Sequence, residues 1–263
     1  MPASFSHPIA ILPLRRWCPK YLNFSALVIG CLAPDFGYYI RNFSAAQFAH
    51  TLLGTIGLCL PSGLLVLGIF YAVRPALCFI LPQPHRAALT ALALQRSRLT
   101  AGAILRAGIS ILLGAWSHTL WDAFTHKTGW FVQRIPQLSV PVLHVGNQEL
   151  PVYYLLQQGS TILGAAGLAV LYFLWLRRWP IPPADLAAPG AITDGQRYWL
   201  LLALALISLV AGAWPAFEMA SHYEGYLAFR VLLFRTAVYA SAVYVTLMIL
   251  ASLVVYFMRG RAG

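Results

Sequence analysis

Residues 51–73 read TLLGTIGLCLPSGLLVLGIFYAV, twenty-three residues without a charged side chain. An α-helix rises about 1.5 Å per residue, so this stretch is long enough to cross a hydrocarbon core of roughly 30 Å. Three more runs pass the same test of length and hydropathy: Ala103–Phe124, Tyr198–Met219 and Leu232–Met258. Tyr153–Leu176 is nearly as apolar, with Gln157, Gln158 and Ser160 near its start. Leu22–Ile40 is apolar but carries Pro34 and Asp35, and reads as a sixth span or as a re-entrant helix. Phe5–Leu14 is too short to span and reads as an interfacial or half-membrane helix. The expected fold is an all-α, polytopic transmembrane helix bundle: five or six spans plus a short N-terminal interfacial or re-entrant helix, in one integral membrane domain over residues 1–263.

Composition agrees with that reading. The chain is 60% hydrophobic and 10% charged, with a mean hydropathy of +0.71. Soluble domains carry about 25% charged residues, and a soluble fold of this length has no interior large enough for so much apolar surface. The bilayer is therefore the expected partner of most of the chain.

The net charge of +11 does not point to nucleic acid, because the basic residues form no dense patch. They sit in short clusters between apolar runs, as the positive-inside rule describes. Arg74–Arg106 holds five Arg and no acid; Arg177, Arg178 and Arg197 flank the next loop; Arg259 and Arg261 follow the last run. Placing these clusters on the inside makes 74–102 and 177–197 cytoplasmic loops, 126–150 an outer loop, and the C-terminus cytoplasmic, in an inner membrane. Lys127, Arg134, Arg230 and Arg235 depart from that bias. Pro180–Gln196, rich in Pro, Ala and Gly, reads as a flexible cytoplasmic loop. Cys18, Cys31, Cys59 and Cys78 form no CxxC pattern and read as small hydrophobes. Phe5–Leu14 has no preceding positive charge, so no cleavable signal peptide is expected. The oligomeric state is not legible.

On this map the ionisable residues gather at one side. Asp35, His50, His118, Asp122 and His126 all fall at outer ends of apolar segments. His118 and Asp122 are four apart, so they share one helix face and can grip one divalent cation from adjacent turns. A hydrogen-bonded His–Asp pair at a helix end explains the spacing equally well without a metal. Two carboxylates and several imidazoles at one membrane depth repel or stay unsatisfied without a cation. His126 is a ligand, a supporting partner or neither, and His7 joins the site only if Leu22–Ile40 does not span. His85, His144, Glu149, Glu218, His222 and Glu224 read as ordinary loop residues.

The motifs Ser6-His7-Pro8, Ala33-Pro34-Asp35-Phe36, His50-Thr51-Leu52-Leu53-Gly54 and Ser117-His118-xxx-Asp122-xx-Thr125-His126-xx-Gly129-Trp130, with Leu155-Leu156-Gln157-Gln158-Gly159-Ser160 closing the series, resemble a family of bacterial multi-pass membrane proteins of the domain-of-unknown-function kind, the DUF-4184 type. Their order is also similar to a wider group of inner-membrane proteins described as metal-dependent hydrolases. That resemblance implies a helical scaffold holding divalent metal through His7, Asp35, His50, His118 and Asp122. The hydrolase group carries Arg after the middle His, where this chain has Thr51, so catalysis by the same machinery does not follow automatically.

Two kinds of function remain. In the first, His7, His50, His118 and Asp122 hold a divalent metal (Zn, Mn or Fe), Asp35 is catalytic as bridging ligand or general base, and Thr125 and His126 support them. The cation would acidify a water for hydrolysis of a lipid-linked or phosphodiester substrate. In the second, the same cluster is a non-catalytic structural site or part of a transport path.

Overall fold

The computed structural model describes residues 4–94, 100–145, 148–179 and 192–259. The bulk of Pro180–Gln196, and Arg96, Arg98 and Arg261 of the basic clusters, lie outside these residues. Among the described residues, five helices are long and apolar enough to cross a membrane: Leu52–Phe79, Ala101–Thr125, Val152–Leu176, Asp194–Ala220 and Gly225–Met258. The chain is thus an all-α, multi-pass membrane protein. The stretch Leu22–Ile40, read as a sixth span or a re-entrant helix, is not among these five and breaks into short helical pieces.

That segment fails to span for local reasons. Asn23 caps α2 (Phe24–Leu32), its side chain accepting from the Ala26 amide. Nine residues are too few to cross. Pro34 then tightens the chain into a 3-10 turn (Ala33–Asp35) before the single turn of α3 (Phe36–Tyr39). Arg41, at φ 59, reverses the chain into α4 (Phe43–Ala49), capped by the Asn42 side chain. At the N-terminus, α1 (Pro8–Ile11) continues as a 3-10 segment over Leu12–Trp17.

α5 (Leu52–Phe79) starts on a Thr51 cap and holds a π-turn at Thr55–Cys59. Pro61 accounts for the π-turn: with no N–H it leaves the Gly57 carbonyl without its usual partner, and its ring crowds that turn. The Thr55 hydroxyl, donating to Leu52 O at 2.7 Å, accepts the Trp116 indole N–H at 3.0 Å and ties α5 to α7 (Ala101–Thr125). Between them lies the short α6 (His85–Ala93). After α7 come a 3-10 turn (Pro136–Ser139) and an antiparallel ribbon of β1 (Pro141–Val145) and β2 (Gln148–Pro151). The ribbon was not anticipated in what reads as an outer loop. Then follow α8 (Val152–Leu176), α9 (Asp194–Ala220) and α10 (Gly225–Arg259).

The contacts divide the chain into two compact units, Met1–Gly68 with Arg98–Tyr172 and Ile69–Ser97 with Phe173–Gly263. In the first, α2 lies directly against α7. A Cβ on Gly30 would sit 2.2 Å from Ile111 O, and one on Gly114 only 2.3 Å from Leu27 O, so the two backbones touch at these glycines. In the second, α9 and α10 form a helical hairpin that turns at Gly225, whose φ is +56. α9 opens on a capping box, Thr193 with Gln196. The fully buried Arg197 is neutralised and bonded within this unit: it contacts Asp194 at 3.6 Å and donates to the carbonyls of Phe79 and Ile192.

Candidate metal centre

Four short pieces of chain bring the site together within the first unit. α7 contributes His118 and Asp122 from its last two turns. His7 comes from the start of α1, Asp35 from the 3-10 turn after α2, and His50 from the end of α4. All of His7, Asp35, His118 and Asp122 are buried, and His50 is nearly so. Because α2 stops at Leu32, the N-terminal segment stays in this unit and His7 reaches the cluster.

Asp122 is the hub. Its Oδ2 is 3.3 Å from His118 Nε2 and 3.4 Å from His50 Nε2, and its Oδ1 is 3.7 Å from His7 Nε2. Asp35 Oδ1 is 3.5 Å from His50 Nε2 and 3.8 Å from His118 Nε2. The rings crowd as well: His7 stacks on His118 with centroids 3.9 Å apart, and His50 meets His118 edge-on at 5.3 Å. Donor atoms around a transition metal at ligand distances of about 2.1 Å are spaced roughly 3.0–3.5 Å apart. The observed spacings come within a few tenths of an ångström of that range. Two overlapping triads, His7–His118–Asp122 and Asp35–His50–His118, each bring their donor atoms within 4.8 Å of one another. One imidazole nitrogen carries one lone pair, so two triads that share His118 Nε2 describe one centre.

The tautomers are set from behind. His118 Nδ1 lies 2.7 Å from the Cys31 carbonyl oxygen, and His50 Nδ1 lies 2.7 Å from that of Ala46. A carbonyl only accepts, so both rings carry a proton on Nδ1, and each in its neutral form turns an Nε2 lone pair inward. Those lone pairs face carboxylate oxygens, which are also acceptors. The Nε2 atoms of His7, His50 and His118 and Oδ1 of Asp122 are buried with no hydrogen-bond partner among the described residues. A self-contained His–Asp hydrogen-bond network would satisfy these atoms; a cation among them does so directly.

Outside the spanning helices the electrostatics differ from ring to ring. Burial, with His118 adding to it, pushes His7 down to about 3, so the ring is neutral, as a ligand must be. Burial also pulls His50 down, but the neighbouring Asp122 carboxylate, the bond to the Ala46 carbonyl and the charge of Asp35 outweigh it, and the net shift is upward. His126 is lowered, chiefly by burial.

The supporting residues behave differently from the ligand candidates. His126 Nδ1 lies 3.4 Å from Asp122 Oδ1, and its Nε2 is held by the Gln157 side chain at 3.0 Å. Thr125 is fully buried, donates to Trp121 O at 3.1 Å, and lies 3.4 Å from His126 Nδ1. Gln157, buried at the start of α8, stands in the sequence as a polar residue in an apolar run and within the motif Leu155–Ser160, with no role assigned to it. Its position was the available signal, since a Gln at such a depth needs a partner. His144 and Glu149 form an exposed cross-strand pair at 3.7 Å in the ribbon. In the other unit, His222 Nδ1 bonds Glu218 O at 2.9 Å.

A cavity of about 420 Å³ opens onto the cluster. His50, Asp122 and His126 form part of its wall, with Tyr38, Gln47, Thr119 and Trp130 around them. Arg134 sits over the Trp130 ring at 4.1 Å and donates to Trp130 O.

No curated protein and no solved structure matches the chain. A family model does match, over residues 1–258; its description is a domain of unknown function, DUF4184, and the chain belongs to that family.

Proposed function

We propose that this membrane protein binds one divalent transition metal through His7, His50, His118 and Asp122, with Asp35 completing the donor set, and uses it for hydrolysis. The observation that carries the metal reading is the pair of backbone-anchored rings. His50 and His118 each commit Nδ1–H to a carbonyl at 2.7 Å and leave buried Nε2 atoms facing carboxylates. Metal-ligating histidines are held in this way by an outer hydrogen bond. When bound, the cation would polarise a phosphoryl oxygen and acidify a water. The mixed imidazole and carboxylate donors suit Zn, Mn or Fe.

The cavity supports a catalytic over a structural role. Structural sites are closed by their ligands, whereas here an opening reaches Asp122 and His50. Arg134 does not line the cavity but stacks on Trp130, which does, and a cation held on that ring favours an anionic substrate. A centre at the end of a membrane-spanning helix favours an amphiphile, so the proposed substrate is a phosphate ester of a lipid or lipid-linked precursor. The proposed side is the outer face of an inner membrane, with the C-terminus cytoplasmic, from the Arg bias of the loops.

The test is turnover by protein reconstituted in anionic phospholipid vesicles with Zn²⁺ or Mn²⁺, against a chromogenic phosphomonoester, a chromogenic phosphodiester and the vesicle lipid itself. Metal-dependent release of phosphate or alcohol, abolished by Asp122→Ala, is the expected result. A metal-loaded protein inert to all three would favour a structural centre.

A further inference from the structure

We infer that Gln157 is a positioning residue for the metal centre, acting through His126 on Asp122; this rests on the metal reading above. The chain of contacts has one consistent proton assignment. His126 Nδ1 faces only acceptors on Asp122, the backbone oxygen at 3.2 Å and carboxylate Oδ1 at 3.4 Å. The hydroxyl of Thr125, its other neighbour at 3.4 Å, is directed to Trp121 O. Nδ1 therefore carries the proton, and Nε2 of the neutral ring is an acceptor. The group 3.0 Å from it is the Gln157 side-chain amide, which supplies the N–H that this acceptor needs. Gln157 is itself buried, and its backbone oxygen accepts from Thr161 at 2.8 Å, with Ser160 a longer second donor at 3.2 Å.

The consequence falls on Asp122. Its Oδ1 is the atom shared between His126 and His7, while Oδ2 faces His50 and His118. A His126 ring held in the Nδ1–H form bonds the Asp122 backbone oxygen at 3.2 Å and keeps its N–H edge 3.4 Å from Oδ1, an electrostatic contact that biases the rotation of the carboxylate. A ring free to flip or switch tautomer would present a lone pair to that oxygen and turn it away. Gln157 thus does for His126 what the Cys31 and Ala46 carbonyls do for His118 and His50. It also keeps His126 from acting as a ligand, since its Nε2 is already engaged.

A structural role makes a different prediction. The same two helices are joined one turn further along α8 by the Trp121 indole donating to Ser160 Oγ at 3.1 Å. Ser160→Ala loosens that contact without touching His126 and serves as the control. The experiment is Co²⁺ titration of purified metal-free wild type, Gln157→Leu, Gln157→Glu and Ser160→Ala, reading the dissociation constant and the visible ligand-field spectrum, with imidazole ¹⁵N shifts reporting the His126 tautomer. Gln157→Leu should bind Co²⁺ about 10–100-fold more weakly, with an altered spectrum and loss of the pure Nδ1–H signature. Gln157→Glu, which stabilises imidazolium at His126, should weaken binding as well, and Ser160→Ala should match wild type. Wild-type uptake with an unchanged affinity and spectrum in Gln157→Leu would overturn this inference alone. Equal losses in Gln157→Leu and Ser160→Ala would also overturn it, assigning the effect to helix packing. A wild type that takes up no Co²⁺ would remove the metal reading and this inference with it.

Discussion

The imidazole Nδ1 of His118 lies 2.7 Å from the carbonyl oxygen of Cys31, a residue 87 positions earlier in the chain. That bond depends on the contact of α2 with α7, where Gly30 faces the Ile111 backbone and Gly114 faces that of Leu27. A methyl group at either glycine must push the helices apart. Gly114→Ala is therefore expected to destabilise the protein by about 1–3 kcal/mol and to lower metal affinity without altering any ligand. Thermal unfolding in detergent with a parallel metal titration checks this; unchanged metal affinity would separate the ring orientation from the helix contact.

Asp35 is the residue whose role the geometry narrows most. Its Oδ1 stands 3.5 Å from His50 Nε2 and 3.8 Å from His118 Nε2, a spacing that suits a donor to the same cation. Asp35→Asn is expected to weaken metal binding more than about tenfold as well as to abolish turnover. Full metal occupancy with lost turnover would instead make Asp35 a general base.

Proton competition gives a pH dependence whose sign follows from His50. A ligand must be deprotonated, and the upward shift of His50 means protons compete for it from near neutrality downward. His7, held at about 3, does not compete until far lower. Apparent metal affinity should therefore be full above the His50 value and fall as pH drops through it, by up to about one decade per pH unit for the single proton displaced. A flat affinity through the His50 value would show that His50 is not a ligand.

Arg134 makes a prediction about substrate rather than metal. Its guanidinium is held over the ring of Trp130, a cavity-lining residue. Arg134→Ala should leave metal content unchanged and raise KM for an anionic substrate about tenfold, with a smaller effect on kcat. An unchanged KM would remove Arg134 from substrate binding.

How far the sequence carried these conclusions depends on the range of each signal. The spans were legible because an uncharged run of some twenty residues has one solution in lipid. His118 and Asp122 were legible because their neighbourhood is local, four residues along one helix. His50 stood out as an imidazole opening an apolar helix. The place of His7 was conditional, since it turned on whether Leu22–Ile40 crosses. The Asn23 cap and the Pro34 turn decide that, and their combined effect shows only when α2 is seen to end at Leu32. Gln157 was out of reach because its partner lies 31 residues away on another helix. The ribbon has a weak signal in the sequence: Gly146-Asn147, a turn-forming pair, follows the apolar run Val140–Val145, but Gln148–Pro151 after it is not a β-rich run.

The most direct test of the central claim is metal content by mass spectrometry on detergent-purified protein, wild type beside His118→Ala and Asp122→Ala. The account predicts close to one equivalent of transition metal in the wild type and loss of it in both variants. Wild-type protein that stays metal-free after reconstitution with Zn²⁺ and Mn²⁺ would contradict it.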